Sequence, residues 1–144
     1  YGLAGLRVGF GIAQPALTDL MHRVRQPFNG TTVAQAAAIA ALDDDAFLQR
    51  SYQLNRDGLA RLQAAFAGMG LEHVPSYGNF VLVRVGDAAG VYEALLRAGV
   101  IVRPVDNYDL PQWLRITVGL PEENEIFLAA LARAMGRPGA ASAP

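Results

Sequence analysis

The chain of 144 residues contains no cysteine and no lysine, and all 12 of its basic residues are arginine. The absence of cysteine excludes disulfides and thiolate metal sites, and it is typical of a reducing, cytoplasmic location. The absence of lysine excludes any reaction in which this chain alone supplies a side-chain amine. The sequence also lacks an apolar run long enough to span a bilayer and a signal-like hydrophobic segment, which predicts no membrane attachment.

The chain also has no large excess of positive or negative charge. The 13 acidic residues nearly balance the basic ones, so the net charge is -1, and we expect neither nucleic-acid binding nor an acidic tail. Hydrophobic residues make up 52% of the chain and charged residues 17%, the balance of a globular protein with a buried core. His22 and His73 are far apart in sequence and predict no metal site, and the acidic run at 43–45 is interpreted as a helix cap.

The opening stretch, YGLAGLRVGF, is interpreted as a β-strand that continues to about Ala13. At a period of two, the apolar residues of one face are Leu6, Val8, Phe10 and Ile12. The other face carries Arg7 among glycine and alanine. Such a bare face lets a bulky group approach the backbone, and the arginine fork pairs well with phosphate. The pattern also fits a bulge with a solvated Arg7, and periodicity alone does not decide between the two interpretations.

The sequence pattern of residues 1–70 predicts one strand followed by three helices. The first helix begins at Pro15, the second covers the alanine-rich TTVAQAAAIAAL, and the third begins at the acidic run and continues to about Ala67, where GMG ends it. Gly58, in the middle of the third helix, is a candidate bend. A single strand with no partner predicts that this region is not a complete domain.

From Leu71 onward the pattern becomes compact α/β and predicts a region that folds alone. The predicted strands are NFVLVRV, VIVRPV and WLRITVG, and the helices are DAAGVYEALLRAG and PEENEIFLAALARAM. NFVLVRV is apolar on both faces, which favours a central strand. In WLRITVG, the core face consists of Leu114, Ile116 and Val118. Arg115 then lies on the opposite face with Trp113 and Thr117.

Four segments, in order, resemble fold-type-I aminotransferases that use pyridoxal phosphate (PLP), and among these the histidinol-phosphate aminotransferases. They are YGLAGLRVGF, VRQPFNGTTVAQAAAIAAL, GNFVLVRV with GVIVRP, and LRITVGLPEENEIFLAAL, so the resemblance covers about residues 1–135. It implies the C-terminal part of that α/β fold. Residues 1–45 would end the large PLP-binding domain, which is incomplete here, and 46–70 would form a connecting helix. Residues 71–136 would form the small C-terminal domain, and 137–144 a disordered tail.

The resemblance also implies roles for individual residues. Arg7 matches the arginine that holds the PLP phosphate, and Arg115 matches the arginine that holds the anionic group of the substrate. Asn29 lies in a segment that reaches the partner subunit's active site, where Arg25 would add a second cation. The family spacing places the lysine that forms the Schiff base eight residues before Arg7, two ahead of Tyr1. No catalytic residue is therefore expected in this chain, and the chain alone is expected to be inactive.

The reaction implied by the resemblance is a transamination between histidinol phosphate and 2-oxoglutarate in histidine biosynthesis, by a cytoplasmic homodimer. Two related activities stay open, an aromatic-amino-acid aminotransferase and a threonine-phosphate decarboxylase. A non-catalytic α/β binding module is the alternative from a different class, and the absence of lysine favours it for the isolated chain. The sequence does not decide whether Tyr77, Tyr92 and Tyr108 pack in the fold or line a cleft.

Overall fold

The computed structural model of the protein describes residues 1–136, so the predicted tail at 137–144 lies outside the described residues. The chain divides into two compact units, the first from Tyr1 to Ser51 and the second from Tyr52 onward. The division falls inside the longest helix, α3, which covers Asp45–Gly68.

The first unit is helical, and the caps of its helices are visible in the sequence. A short 3-10 turn at Ala4–Leu6 is followed by α1 (Pro15–Val24) and α2 (Thr32–Leu42). The Thr31 hydroxyl accepts a hydrogen bond from the backbone N–H of Ala34 at 3.1 Å, and the Asp44 carboxylate accepts one from Phe47 at 2.9 Å. Such side-chain acceptors satisfy the first free N–H groups of a helix. The predicted three helices and the capping role of the acidic run are confirmed.

The predicted opening strand is wrong. Beyond the 3-10 turn, residues 8–14 form no regular element. Arg7 adopts the left-handed backbone conformation, with φ of 55°, which interrupts an extended path. A strand also needs the backbone groups of a neighbouring strand, and the described residues of the first unit include none. The apolar face predicted for this strand is therefore not buried in a core. Phe10 and Ile12, which belong to it, are 72% and 93% exposed.

The second unit packs helices against a four-stranded sheet in the order β1-β2-β4-β3. Its elements after α3 are β1 (His73–Val74), β2 (Phe80–Arg84), α4 (Ala88–Arg97), β3 (Arg103–Pro104), β4 (Trp113–Thr117) and α5 (Pro121–Ala134). All neighbouring strands are antiparallel, so β2 and β3 run parallel with β4 between them. The central position predicted for NFVLVRV is confirmed.

Both outer strands differ from the prediction. The strand β1, in which His73 pairs with Val83, is not among the predicted strands. A strand of two residues is too short to show any periodicity in the sequence. The predicted strand VIVRPV is reduced to Arg103 and Pro104. Pro104 lies on an edge strand, where its missing N–H is tolerated.

The core of the second unit lies between the sheet and its helices. Val81 and Val83 of β2 and Leu114 of β4 are fully buried. The helices contribute further fully buried side chains, namely Leu62 and Phe66 of α3, Leu95 of α4 and Leu131 of α5. The end of the predicted connecting helix is therefore part of the same core as the predicted small domain.

Gly58 marks a close contact rather than a bend, because α3 is continuous through this residue. A Cβ atom at Gly58 would lie 2.3 Å from Cγ1 of Val118 and 3.2 Å from Nδ2 of Asn124. Real Cβ atoms essentially never approach another atom as closely as 2.3 Å, and 3.2 Å is tighter than most Cβ contacts. Glycine is required here because the side chains of Val118 and Asn124 pack directly against the backbone of α3.

We expect Gly58→Ala to lower the free energy of unfolding by up to about 2 kcal/mol. Alanine adds about 1 kcal/mol of helix propensity, but overpacking costs about 1–3 kcal/mol, and the stiff, β-branched Val118 cannot swing away easily. Urea denaturation measures the change. Gly68→Ala is the matched control, because a Cβ at this exposed end of α3 meets nothing within 4 Å. Adding Val118→Ala to Gly58→Ala should recover part of the loss, and no recovery would contradict the steric explanation.

Candidate functional site

Arg115 lies in the middle of β4, where strand alternation separates it from the core. Its neighbours Leu114 and Ile116 are buried against the helices. Arg115 therefore shares the opposite face of the sheet with Trp113 and Thr117, as the sequence predicts. The side chain of Arg115 is half-buried, and that of Thr117 is exposed.

The register of the sheet gives Arg115 its neighbours on this face. Leu82 of β2 and Arg103 of β3 are its two direct cross-strand partners. The guanidinium carbon of Arg115 also lies 5.0 Å from the centre of the Phe80 ring. Side chains at directly opposite positions of antiparallel strands are in contact range. The sheet therefore places two guanidinium-bearing residues and one aromatic ring in a single cluster.

This cluster carries positive charge without a protein counter-charge. The only ion pairs among residues 1–136 are Arg23–Asp19, Arg61–Glu125 and Arg84–Glu72, so Arg103 and Arg115 have no carboxylate partner there. Like charges at opposite positions are unfavourable. In addition, Nε of Arg115 is buried and has no hydrogen-bond acceptor within the described part of the chain. A bound anion would supply both the negative charge and the missing acceptor.

An open groove of about 920 Å³ adjoins the cluster, and its lining includes Arg103, Arg115 and Thr117. The turn between β4 and α5 forms another part of the lining, and hydrogen bonds from a buried side chain fix its conformation. Asn124, which is 4% exposed, accepts from the N–H of Gly119 at 2.9 Å and donates to its carbonyl at 3.1 Å. The groove is thus bordered by a fixed turn and is large enough for a small metabolite.

Arg7 is exposed in the first unit and keeps most of its donors free. Its Nη1 donates to the carbonyl of Ala4 at 3.0 Å, and the described residues offer its guanidinium no carboxylate partner. A Cβ added at Gly9 or Gly11 would meet nothing within 4 Å, so the backbone next to Arg7 is open to a bulky group. These features fit an anion holder, although the strand predicted to carry Arg7 is not present.

Arg25 and Asn29, the two other candidate residues, contact each other. Nη1 of Arg25 donates to Oδ1 of Asn29 at 3.2 Å, just beyond the end of α1. Between them Phe28 has a left-handed backbone, with φ of 55°, and its side chain is 99% exposed. The structure therefore brings this predicted pair together in an exposed turn.

Three residues of the Arg115 site were missed in the sequence, namely Phe80, Arg103 and Asn124. A signal existed for two of them, since Arg103 is the one charged residue in the apolar run VIVRPV and Asn124 interrupts the apolar face of α5. Their proximity depends on strand register, which the sequence does not reveal. Of the undecided tyrosines, Tyr77 and Tyr108 are exposed and Tyr92 packs on the core.

The histidines and acidic residues form no metal centre in the described residues. No group of three or more His, Asp or Glu side chains there is arranged to hold an ion. His73 instead lies against the core, with its ring 6.0 Å from that of Phe66. Within residues 1–136, none of the helices has the length and apolar character needed to cross a membrane.

Comparison with known proteins places the chain among transaminases. Residues 1–131 match the model of the family described as aminotransferase class I and II. The chain is 66% identical over 139 residues to histidinol-phosphate aminotransferase 1 of Cupriavidus pinatubonensis, covering 94% of this chain and 37% of that protein. It is 64% identical over 146 residues to histidinol-phosphate aminotransferase 2 of Ralstonia nicotianae, covering 99% of this chain and 39% of that protein.

A solved structure gives the same result for the fold. The chain superposes on histidinol-phosphate aminotransferase from Sinorhizobium meliloti, determined in complex with pyridoxal-5'-phosphate, with a TM-score of 0.81 and 30% sequence identity. The superposition covers 94% of this chain and 38% of the other. The chain thus spans less than two-fifths of the length of the relatives that it matches.

Proposed function

Because the chain belongs to the aminotransferase class I and II family, we propose that it is the C-terminal portion of a PLP-dependent histidinol-phosphate aminotransferase. The whole enzyme would transfer the amino group of histidinol phosphate to 2-oxoglutarate in histidine biosynthesis. The observation that carries this proposal is the uncompensated Arg103–Arg115 cluster with its orphaned, buried Nε. The fold is the C-terminal part of the fold-type-I α/β architecture, as predicted.

The anion site suits both substrates of this reaction. Histidinol phosphate carries a phosphate and 2-oxoglutarate carries a carboxylate, and the arginine fork pairs bidentately with either group. In this proposal Arg115 binds and orients the anionic end of each substrate, and Arg103 adds a second positive charge from the neighbouring strand. A permanently charged guanidinium holds both anions throughout the physiological pH range.

The residues around Arg7 fit the phosphate of PLP. The exposed guanidinium retains donors that no described carboxylate engages, and the glycine-rich backbone beside it is open. When bound, PLP supplies an electron sink that stabilises negative charge at the substrate Cα. Arg7 would hold the phosphate end of the cofactor and so fix its position.

In the intact enzyme we expect Arg7→Ala to weaken PLP binding by about ten- to a hundredfold. The reason is the loss of a charge-assisted hydrogen bond, which contributes about 1.5–3 kcal/mol. Titration of the apoenzyme with PLP, followed by absorbance, measures the dissociation constant. Arg23→Ala is the matched control, because Arg23 is an exposed arginine of the same unit that already pairs with Asp19. If Arg7→Ala binds PLP like the unsubstituted enzyme, Arg7 is only a surface residue.

We expect the isolated 144-residue chain to have no transaminase activity and to form no Schiff base with PLP at an internal residue. The physical reason is that it contains no lysine amine. The measurement is borohydride reduction followed by peptide mass spectrometry, after the α-amino group of Tyr1 has been blocked. A stable PLP adduct at an internal residue would contradict this expectation.

Substrate profiling of the intact enzyme tests the proposed reaction. Histidinol phosphate should be the preferred amino donor. A preference for phenylalanine would favour the aromatic-amino-acid aminotransferase, and release of carbon dioxide from threonine phosphate would favour the decarboxylase. The curated relatives support the histidinol-phosphate branch over both alternatives and over a binding module.

Homodimer formation and a cytoplasmic location are also part of this proposal. Large apolar side chains of the first unit, such as Val24 and Phe28, are exposed in the single chain, which supports burial by other protein surfaces. Sedimentation of the intact enzyme tests the dimer, and a monomer at micromolar concentration would contradict it. Fractionation of cells that produce the enzyme tests the location.

A further inference from the structure

Phe80 is the aromatic member of the Arg115 cluster. It is the first residue of β2 and pairs with Thr117, so it lies diagonally across the strand boundary from Arg115. The centre of its ring is 5.0 Å from Cζ of Arg115, within the range of a favourable cation–π contact. Phe80 is 38% exposed and does not belong to the buried core.

The other neighbours of Arg115 leave the orientation of its guanidinium undetermined. Leu82 offers no polar atom, and Arg103 offers only another positive charge. Nε of Arg115 is unpaired, and Arg115 forms no ion pair with any residue among 1–136. No described hydrogen bond therefore fixes the plane of its guanidinium. A free arginine side chain of this length carries considerable rotamer entropy, which binding must remove. The flat ring of Phe80 lies at cation–π distance from the guanidinium and restricts its plane before an anion arrives.

We propose that Phe80 is a positioning residue that holds the Arg115 guanidinium in place for the anionic group of the substrate. This role rests on the proposed function, because it assumes that Arg115 binds that group. A fixed fork binds a bidentate anion without first losing rotational freedom, so Phe80 raises affinity through preorganisation. It therefore increases the preference of the enzyme for a phosphorylated amino donor over the same donor without its phosphate.

The test compares Phe80→Leu with Phe80→Tyr in the intact, PLP-loaded enzyme. Leucine keeps apolar bulk but lacks the ring face, whereas tyrosine keeps it. Calorimetric titration with inorganic phosphate should show about a three- to tenfold weaker affinity for Phe80→Leu and nearly unchanged affinity for Phe80→Tyr. The ratio of kcat/KM for histidinol phosphate to kcat/KM for histidinol should fall by a similar factor, mainly through KM of the phosphorylated donor.

Phe66→Leu is the control for a loss of packing, because Phe66 of α3 is fully buried in the core with Leu114 and Ile116, on the sheet face opposite to Arg115. It should lower the melting temperature without changing the donor ratio. If Phe80→Leu leaves phosphate affinity and the donor ratio unchanged, or if Phe66→Leu changes the ratio equally, the positioning role is wrong. If the unsubstituted enzyme does not use histidinol phosphate but Phe80→Leu still weakens phosphate binding, the positioning role stands and the proposed reaction fails.

Discussion

Replacing Arg115 with alanine in the intact enzyme is expected to lower kcat/KM by about a hundredfold or more in both half-reactions. The change removes a bidentate pair of charge-assisted hydrogen bonds, each contributing about 1.5–3 kcal/mol, and about 1.4 kcal/mol corresponds to a tenfold change. The half-buried position of Arg115 and its orphaned Nε strengthen this expectation, because water competes poorly for a partly desolvated donor.

Two further substitutions separate the contribution of positive charge to kcat/KM from that of the planar guanidinium geometry. Arg115→Lys keeps the charge but loses the planar fork. Its kcat/KM should therefore fall less than that of Arg115→Ala, and it should fall for glutamate and histidinol phosphate together. Arg103→Ala should cost less, about tenfold, because Arg103 is exposed and charge pairs in water are weak. Single-turnover measurements of each half-reaction give kcat/KM separately. Arg97→Ala, at an exposed arginine in the last turn of α4, is the matched control.

PLP affinity should stay nearly unchanged in all of these variants, which distinguishes Arg115 from Arg7. Unaltered half-reactions in Arg115→Ala would refute the assigned role. If only the glutamate half-reaction suffers, Arg115 binds the carboxylate and the phosphate is held elsewhere. Arg103 and Arg25 then become the next candidates, and the same single-turnover assay on their alanine variants decides between them.

A chain that begins at Leu71 is expected to lose cooperative folding, whereas a chain that begins at Tyr52 should retain it. Starting at Leu71 removes Leu59, Leu62 and Phe66 from the core of the second unit. Loss of one large buried side chain typically costs about 2–5 kcal/mol. The loss of three approaches or exceeds the total stability of an ordinary domain, about 5–15 kcal/mol.

Thermal unfolding followed by circular dichroism distinguishes the two chains. The chain from Tyr52 should show one sigmoidal transition, and the chain from Leu71 should show none. The complete chain should bind a hydrophobic dye more strongly than the chain from Tyr52, because Ile12, Val24 and Phe28 are more than four-fifths exposed. A cooperative melt of the chain from Leu71 would show that α3 packs on a core that is already stable.

The sequence predicts best those features that depend on neighbouring residues. Two helix starts were found because Pro15 and the acidic run at 43–45 act within one turn of their own position. The face of Arg115 was found because Leu114 and Ile116 alternate with it along one strand. Each of these predictions uses information within a few residues of the chain.

Features that depend on distant partners were missed. The opening stretch alternates like a strand, but no described strand lies beside it, and the alternation alone cannot supply one. The contact between Phe80 and Arg115 joins residues that are 35 positions apart and depends on the register of β2 with β4. Gly58 was assigned to a bend because the sequence does not show that Val118 lies against it.

The sheet of the second unit is closed to growth at both edges. Its outer strands offer only two paired residues each, and Pro104, in β3, has no N–H to donate. An added strand would gain too few hydrogen bonds to offset the entropy of ordering it. Neither recruitment of an extended peptide nor edge-to-edge stacking of native copies is therefore favourable. Amyloid-like assembly of this unit would have to begin from unfolded chains, so at a given protein concentration its rate should rise with the fraction of chains that are unfolded.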